Sequence, residues 1–520
     1  MNRARKVMLG VFTLGALAGC EGSGSGGGGL EIRNEPITPN CTPVTGTFPP
    51  GLAVLSEATA RATVVTDSPN GLSVYGLDAE RPTLLTNRNF GVDSDGDGLD
   101  DRRASESLFP IPKGLVPVPG ELRLLDDHRS LISTSNYEQV LVYDPSDAQP
   151  IRVILEVPAS IPFGRYPLLP EPGSVELRTG ISTFACLTPD PAVAFDSTGG
   201  PVGSDPRCAA QDPAFLSSTT AGKAVAAGRL FVATSNFTLS GGSRYRPGTV
   251  LVYDWIEAGG DITVRPSVET PALFTTGFNP TGLGRHVTES GRELVLAVVT
   301  GAIGPARSGF DALTEAAVDV IDPSVPRIAA TIPLGFAGAG LEAPAIDPSG
   351  QIAWMGSAVR RELYAIDLRA LDDPKLYEHS EDPPVILDGL TTGFPDARVF
   401  DADHPLRLPD RTDRPSSPDC AGFTFVTVNA SGTEAFATDF CDGTLTRIRL
   451  DLTGAPPIPF ARSRFQVAGQ SAPFAPNTAI DELRFPGAVA TRPGRPGIDF
   501  TSPDVLVAAG DPPQLCALRI

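Results

Sequence analysis

Five aspartates fall within nine residues, Asp93-Ser94-Asp95-Gly96-Asp97-Gly98-Leu99-Asp100-Asp101. Asp93, Asp95 and Asp97 stand two apart, and Gly98 permits the tight bend that turns alternate carboxylates toward one point. Hard dications are held by such clusters of oxygen. The spacing makes Asp93, Asp95 and Asp97 candidate side-chain ligands. The ion expected is calcium, and its expected role is structural, stiffening the loop around it. Other chemistry is sparse. The chain has no GxSxG, HExxH or GxxxxGK stretch. Its histidines, His128, His286, His379 and His404, are scattered. His286, beside Arg285 in "GLGRHVTESG", reads as a strand position near a channel, and first as a structural or solvent-facing group.

The acidic stretch resembles the calcium loops of EF-hands, dockerins and thrombospondin type 3 repeats. It departs from them at the twelfth position, where Ala104 replaces a bidentate Glu and Glu106 comes two residues late. The resemblance implies a carbonyl ligand from Leu99, Asp101 bound directly or through water, and an affinity suited to millimolar calcium.

A second chemically distinctive residue is Cys20. Arg3, Arg5 and Lys6 precede an apolar run, Val7 to Ala18, which is too short to span a bilayer. The run ends in Leu17-Ala18-Gly19-Cys20. This resembles the lipobox of bacterial lipoproteins, which implies that residues 1–19 are a signal peptide and that Cys20 carries the lipid. Residues 20–29 form a Gly/Ser tether reaching on the order of 15–18 Å. The expected location is the bacterial cell envelope, with the membrane engaged through the anchor. Glu21 after the Cys leans toward the outer membrane.

Six further cysteines remain, and an even number in an exported chain suggests three disulfides. In "CAGFTFVTVNASGTEAFATDFC" a turn centred between Ala430 and Ser431 sets Cys420 opposite Cys441. Proximity pairs Cys186 with Cys208. Elimination pairs Cys41 with Cys516. The 520 residues carry a net charge of −20, which disfavours nucleic acid as a partner.

The elements that position these residues are repeated. "VLVYD" occurs at Val140–Asp144 and again at Val250–Asp254. Related runs end at Asp78, Asp322, Asp367 and Asp451. Each closes on Asp, then turns into another apolar run such as "PIRVILEV", "RIAATIPL" or "PPVIL". Upstream lie "VTESGRELVLAVVT", "AIDPSGQIAWMGS" and "VTVNASGTEAFATD", where Ser-Gly turns one strand into the next. The unit is four strands, a to d, and its recurrence marks a β-propeller. A pair of two-sheet sandwiches is the competing architecture. The Asp residues read as turn caps.

These segments, clearest from about 280 to 450, resemble the YVTN/lactonase-like propeller family. The expectation is an all-β, seven-bladed propeller over residues 30–520, its last blade closed by the N-terminal "LEIRN". Surplus residues fall between d and a (88–120, 158–222, 388–420, 468–486) and between b and c (235–248, 300–315). Those connections emerge on one face, whereas the a–b turns on the other are short. Loops on a rigid scaffold are where binding resides. The expected function is therefore binding or scaffolding of a protein or glycan by the decorated face. The alternative is a lactonase-like hydrolase with a metal or polar site in the channel.

Overall fold

The computed structural model describes residues 244–408 almost continuously and elsewhere chiefly the strands named below. Residues 1–30, 90–118 and 409–423, with Cys186, Cys208 and Cys441, lie outside the described residues.

The chain is an all-β propeller, with two short 3-10 helices among the described residues, Leu368–Asp372 and Pro374–Tyr377. Its strands read as apolar runs rather than alternations, and packing explains why. An inner strand of a blade is covered by neighbouring blades on both faces. Glu293–Val299 is thus buried at every position after its first, and Gly71–Gly76 throughout. The core is correspondingly divided among the seams between blades. Leu72 and Val74 meet Leu122 and Ile132 at one seam. Leu131 and Val142 meet Leu230 and Tyr253 at the next. Phe231 and Val252 then face Leu283 and Val295, and Leu296 and Val320 face Met355 and Tyr364. Trp354 and Leu363 meet Ala435 and Ile448. The ring closes where Ala62 and Tyr75 meet Leu506 and Leu515.

Six blades each fill four strand positions on one continuous stretch of chain, the outer position of the third and of the fifth being shared by two strands. They lie within 48–89, 119–156, 213–278, 280–335, 345–407 and 424–470. Among the described residues the structure shows six blades, not the seven expected. One further four-stranded sheet is assembled from both ends of the chain: Arg484–Thr491, Asp504–Asp511 and Pro513–Arg519 are joined by Thr38–Pro43. The closing strand is therefore not "LEIRN". Glu31–Ile32 instead lies parallel to Gln466–Gln470 on the sixth blade. Thr38–Pro43 escapes recognition because of Pro39 and Pro43. It is an edge strand, and an edge strand tolerates residues that lack an N–H.

Three other expectations are corrected. "PPVIL" is not the outer strand of the fifth blade. Val385–Ile386 lies parallel to Arg327–Gly335, covering the outer edge of the fourth, and Arg398–Phe400 and Leu406–Arg407 take the outer position of the fifth. The stretch expected as an insertion to residue 222 ends earlier, because Pro213–Thr219 is already the first strand of the third blade. The hairpin turn of the sixth blade is not centred between Ala430 and Ser431, and Cys420 and Cys441 themselves lie outside the described residues. Val428 pairs with Ala435 and Asn429 N donates to Glu434 O, so the loop holds four residues, not two. The Asn429 side chain accepts from the amides of Thr433 and Glu434 and sets that size.

Candidate functional site

The b–c connections of three successive blades meet on one face. In the third blade, strand b (Val225–Thr234) runs into Asn236, which is buried with φ +53°. Its side-chain amide donates to Pro247 O at 2.7 Å and Thr249 Oγ1 at 3.1 Å. That lock starts a small hairpin, Phe237–Thr238 with Arg244–Tyr245. In the fourth blade Gly301 turns the chain with φ +83°, where a Cβ would meet the Thr314 and Glu315 carbonyls at 2.8 Å. A second hairpin comes next, Ile303–Pro305 with Phe310–Ala312. Ala302 N donates to Thr314 Oγ1 and fastens its base. In the fifth blade Ser357 Oγ accepts from the amides of Val359 and Arg360 and donates to Ala337 O.

The three connections share a small apolar cluster separate from the seams. Ile303, Ala358 and Val359 form its buried centre, with Tyr245 and Ala312 packed against it. Tyr245 is the crossing point. Its hydroxyl donates to Ile303 O at 2.7 Å and accepts from Ile303 N at 3.1 Å, joining the third blade to the fourth. Burial raises its pKa, so the phenol stays protonated. Phe310, Leu313 and Phe336, which come from the fourth blade's connections on this face, remain 41 %, 57 % and 50 % exposed.

Beneath the cluster, hydroxyls pin the connection from the fourth blade to the fifth. Thr281 and Thr300 both donate to Gly340 O, at 3.0 and 2.6 Å. Tyr364 OH lies 3.0 Å from Ala337 O. Arg361 is paired with the fully buried Asp439 of the sixth blade. The platform is therefore rigid, because its carbonyls and charges are satisfied across blade boundaries.

The opposite face carries the short a–b turns. Thr288, Asp347 and Asn429 each accept amides of their own turn, and Gly291, Gly350 and Gly432 come after them with φ +84°, +70° and +70°. Asp144 and Asp322 cap the c–d turns, accepting from the Ser146 and Ser324 amides, each at 2.9 Å. Asp367 caps the first 3-10 helix. Asp254 does not cap a turn. It lies inside the long strand Pro247–Ala258, facing Arg229 at 3.8 Å. His286 is on the inner strand Pro280–Val287 as expected, but it is buried, while Arg285 pairs with Glu293 at the surface.

Of the residues singled out in the sequence, Asp93, Asp95, Asp97, Leu99, Asp101 and the anchor Cys20 lie outside the described residues, as do Cys186, Cys208, Cys420 and Cys441. Cys41 and Cys516 are cross-strand partners, and Cys516 is disulfide-bonded. Among the described residues, no cluster of His, Cys, Asp or Glu is arranged to hold a metal, and no helix is long and apolar enough to cross a membrane. The residues that sequence reasoning missed are Asn236 and Tyr245. One signal was present: "STSN" and "ATSN" precede the two "VLVYD" copies, and the second copy carries ten more residues between them.

No family model and no curated protein matches the chain. Solved propellers are similar in fold. The Cps50 (Swd1) β-propeller domain of Myceliophteria thermophila is 10% identical, with 93% of this chain and 99% of that chain covered and a TM-score of 0.45. A Bacteroides fragilis protein described as a 6-phosphogluconolactonase is 10% identical over 78% and 80% of the two chains, with a TM-score of 0.37. The periplasmic gluconolactonase of Pseudomonas aeruginosa is 14% identical over 56% and 69%, with a TM-score of 0.31.

Proposed function

We propose that this chain is a lipid-anchored protein of the bacterial cell envelope that binds a protein or glycan on the decorated face of its propeller. One observation carries the reading. Three blades contribute connections to a shared apolar cluster there, and Phe310, Leu313 and Phe336 of the fourth blade stay exposed on the same face. Large exposed apolar groups on a rigid platform suit a binding surface. Cys20 supplies the anchor, residues 20–29 the tether, and the Asp93–Asp101 loop a calcium ion that stiffens one d–a connection. The Cys41–Cys516 bond fastens the composite sheet.

Photo-crosslinking from positions 310, 313 and 336 in cells tests the reading. Crosslinks to a discrete envelope protein or glycan are expected, and Phe310→Ser with Leu313→Ser should reduce them at least tenfold. Crosslinks distributed equally over both faces overturn the proposal. Hydrolysis of a lactone by the purified protein, unchanged in these variants, supports the channel hydrolase instead. For the acidic loop, calorimetry at millimolar calcium should detect binding that Asp95→Asn with Asp97→Asn abolishes.

A further inference from the structure

His286 occupies an unusual position on the face away from the proposed ligand. The residue is 4 % exposed, and its Nε2 is buried without a hydrogen-bond partner. It lies at the seam between the fourth and fifth blades. The turn at Gly350 of the fifth blade sits against the ring, where a Cβ would lie 3.8 Å from His286 Cε1. Two carboxylates act on the imidazole, Asp372 and Asp347, both from the fifth blade. Each is already committed to holding a turn. Asp372 accepts from Glu289 N at 2.7 Å, tying the fourth blade's a–b turn to the fifth blade. Asp347 accepts from the amides of Ser349, Gln351 and Ile352, at 3.2, 2.8 and 2.7 Å. The other charges nearby on its own blade are paired: Arg285 with Glu293, and Arg292 with Asp322 beneath Tyr377.

We infer that His286 is an acid-sensitive latch: its protonation loosens the two turns, Thr288–Arg292 and Asp347–Ile352, that join the fourth and fifth blades. The neutral ring leaves one acceptor nitrogen without a partner, a smaller penalty than an unpaired buried charge. The imidazolium adds a charge and a second N–H with no acceptor. Asp347 has both oxygens engaged by its own turn and Asp372 holds Glu289 N with one, so drawing either carboxylate toward the charged ring pulls on the turn it holds. Burial sets the direction of the linkage. It lowers the imidazole pKa below its ordinary value, and Asp372 and Asp347 only partly oppose this. A depressed folded pKa means that the closed seam is fully stable above the ordinary value of about 6.5 and loses stability as pH falls through the window below it. The device concerns the seam alone and stands whether or not the opposite face binds a ligand.

Hydrogen exchange of the full chain from about pH 7.5 to about pH 5, corrected for intrinsic rates, tests it. Opening of the Glu289, Gln351 and Ile352 amides should rise by up to about tenfold per pH unit within the window, the limit for one proton. His286→Gln should flatten that rise. Should the variant misfold, an NMR titration of His286 replaces it, and Asp372→Asn should move the midpoint to lower pH. Flat opening across the window, an unchanged slope in His286→Gln, or a midpoint at or above the ordinary histidine value overturns the latch.

Discussion

The two VLVYD segments are identical in sequence and different in structure. In the second blade the strand Gln139–Tyr143 stops, and Asp144 turns the chain by accepting from Ser146 N and Oγ. In the third blade the same residues sit inside a strand of twelve, Pro247–Ala258, and Asp254 is one more cross-strand partner of Arg229. The difference lies in the residues immediately C-terminal to each Asp. Pro145-Ser146 offers no N–H at its first position and a hydroxyl at its second, which favours a capped turn. Trp255-Ile256-Glu257 offers apolar surface and a charge that the neighbouring blade can use. Trp255 is fully buried in the seam with Leu155, Val157 and Leu230, and Glu257 forms a bidentate pair with Arg129 of the second blade at 2.7 and 3.1 Å. A repeat unit thus fixes a strand, and the residues beyond it decide where the strand ends.

Substitution separates these contributions. Trp255→Ala should have the largest effect, about 3–5 kcal/mol in urea unfolding, because it empties a fully buried position between two blades. A loss below about 1 kcal/mol would mean that the extended strand packs on nothing that matters. Glu257→Gln comes next, about 1–2 kcal/mol, since it weakens a charged, largely buried pair, and a double-mutant cycle with Arg129→Ala should recover the coupling. The smallest effects sharpen the comparison most. Asp144→Ala should cost about 1 kcal/mol through the lost turn bonds. Asp254→Ala should cost less than about 0.5 kcal/mol, because a half-exposed pair at 3.8 Å is screened. Equal losses from these two aspartates would refute the distinction.

The propeller and the face carrying its longer connections were legible because the signals were local. Ser-Gly at Ser290-Gly291, Ser349-Gly350 and Ser431-Gly432 supplies a left-handed residue where a short turn requires it. What escaped the sequence depended on partners distant in the chain. The size of the Asn429 turn is set by a side chain that accepts two amides. Val385–Ile386 joined the fourth blade because an outer edge there was open. Within "VDVID", Asp319 gave no sign of being fully buried. It is held by Thr276 and Thr331, and burial raises its pKa against those hydrogen bonds. The platform itself rests on Tyr245 reaching a backbone group in another blade, which no spacing rule encodes.

The composite sheet has a consequence in time. Thr38–Pro43 pairs with Pro513–Arg519, so one of the first strands synthesised must await one of the last. At about 5–20 residues per second that wait is on the order of half a minute to a minute and a half. Throughout it the growing chain presents unpaired strand edges to its surroundings, a template for association with other chains. The ring is closed by this pairing only when its two ends have both arrived.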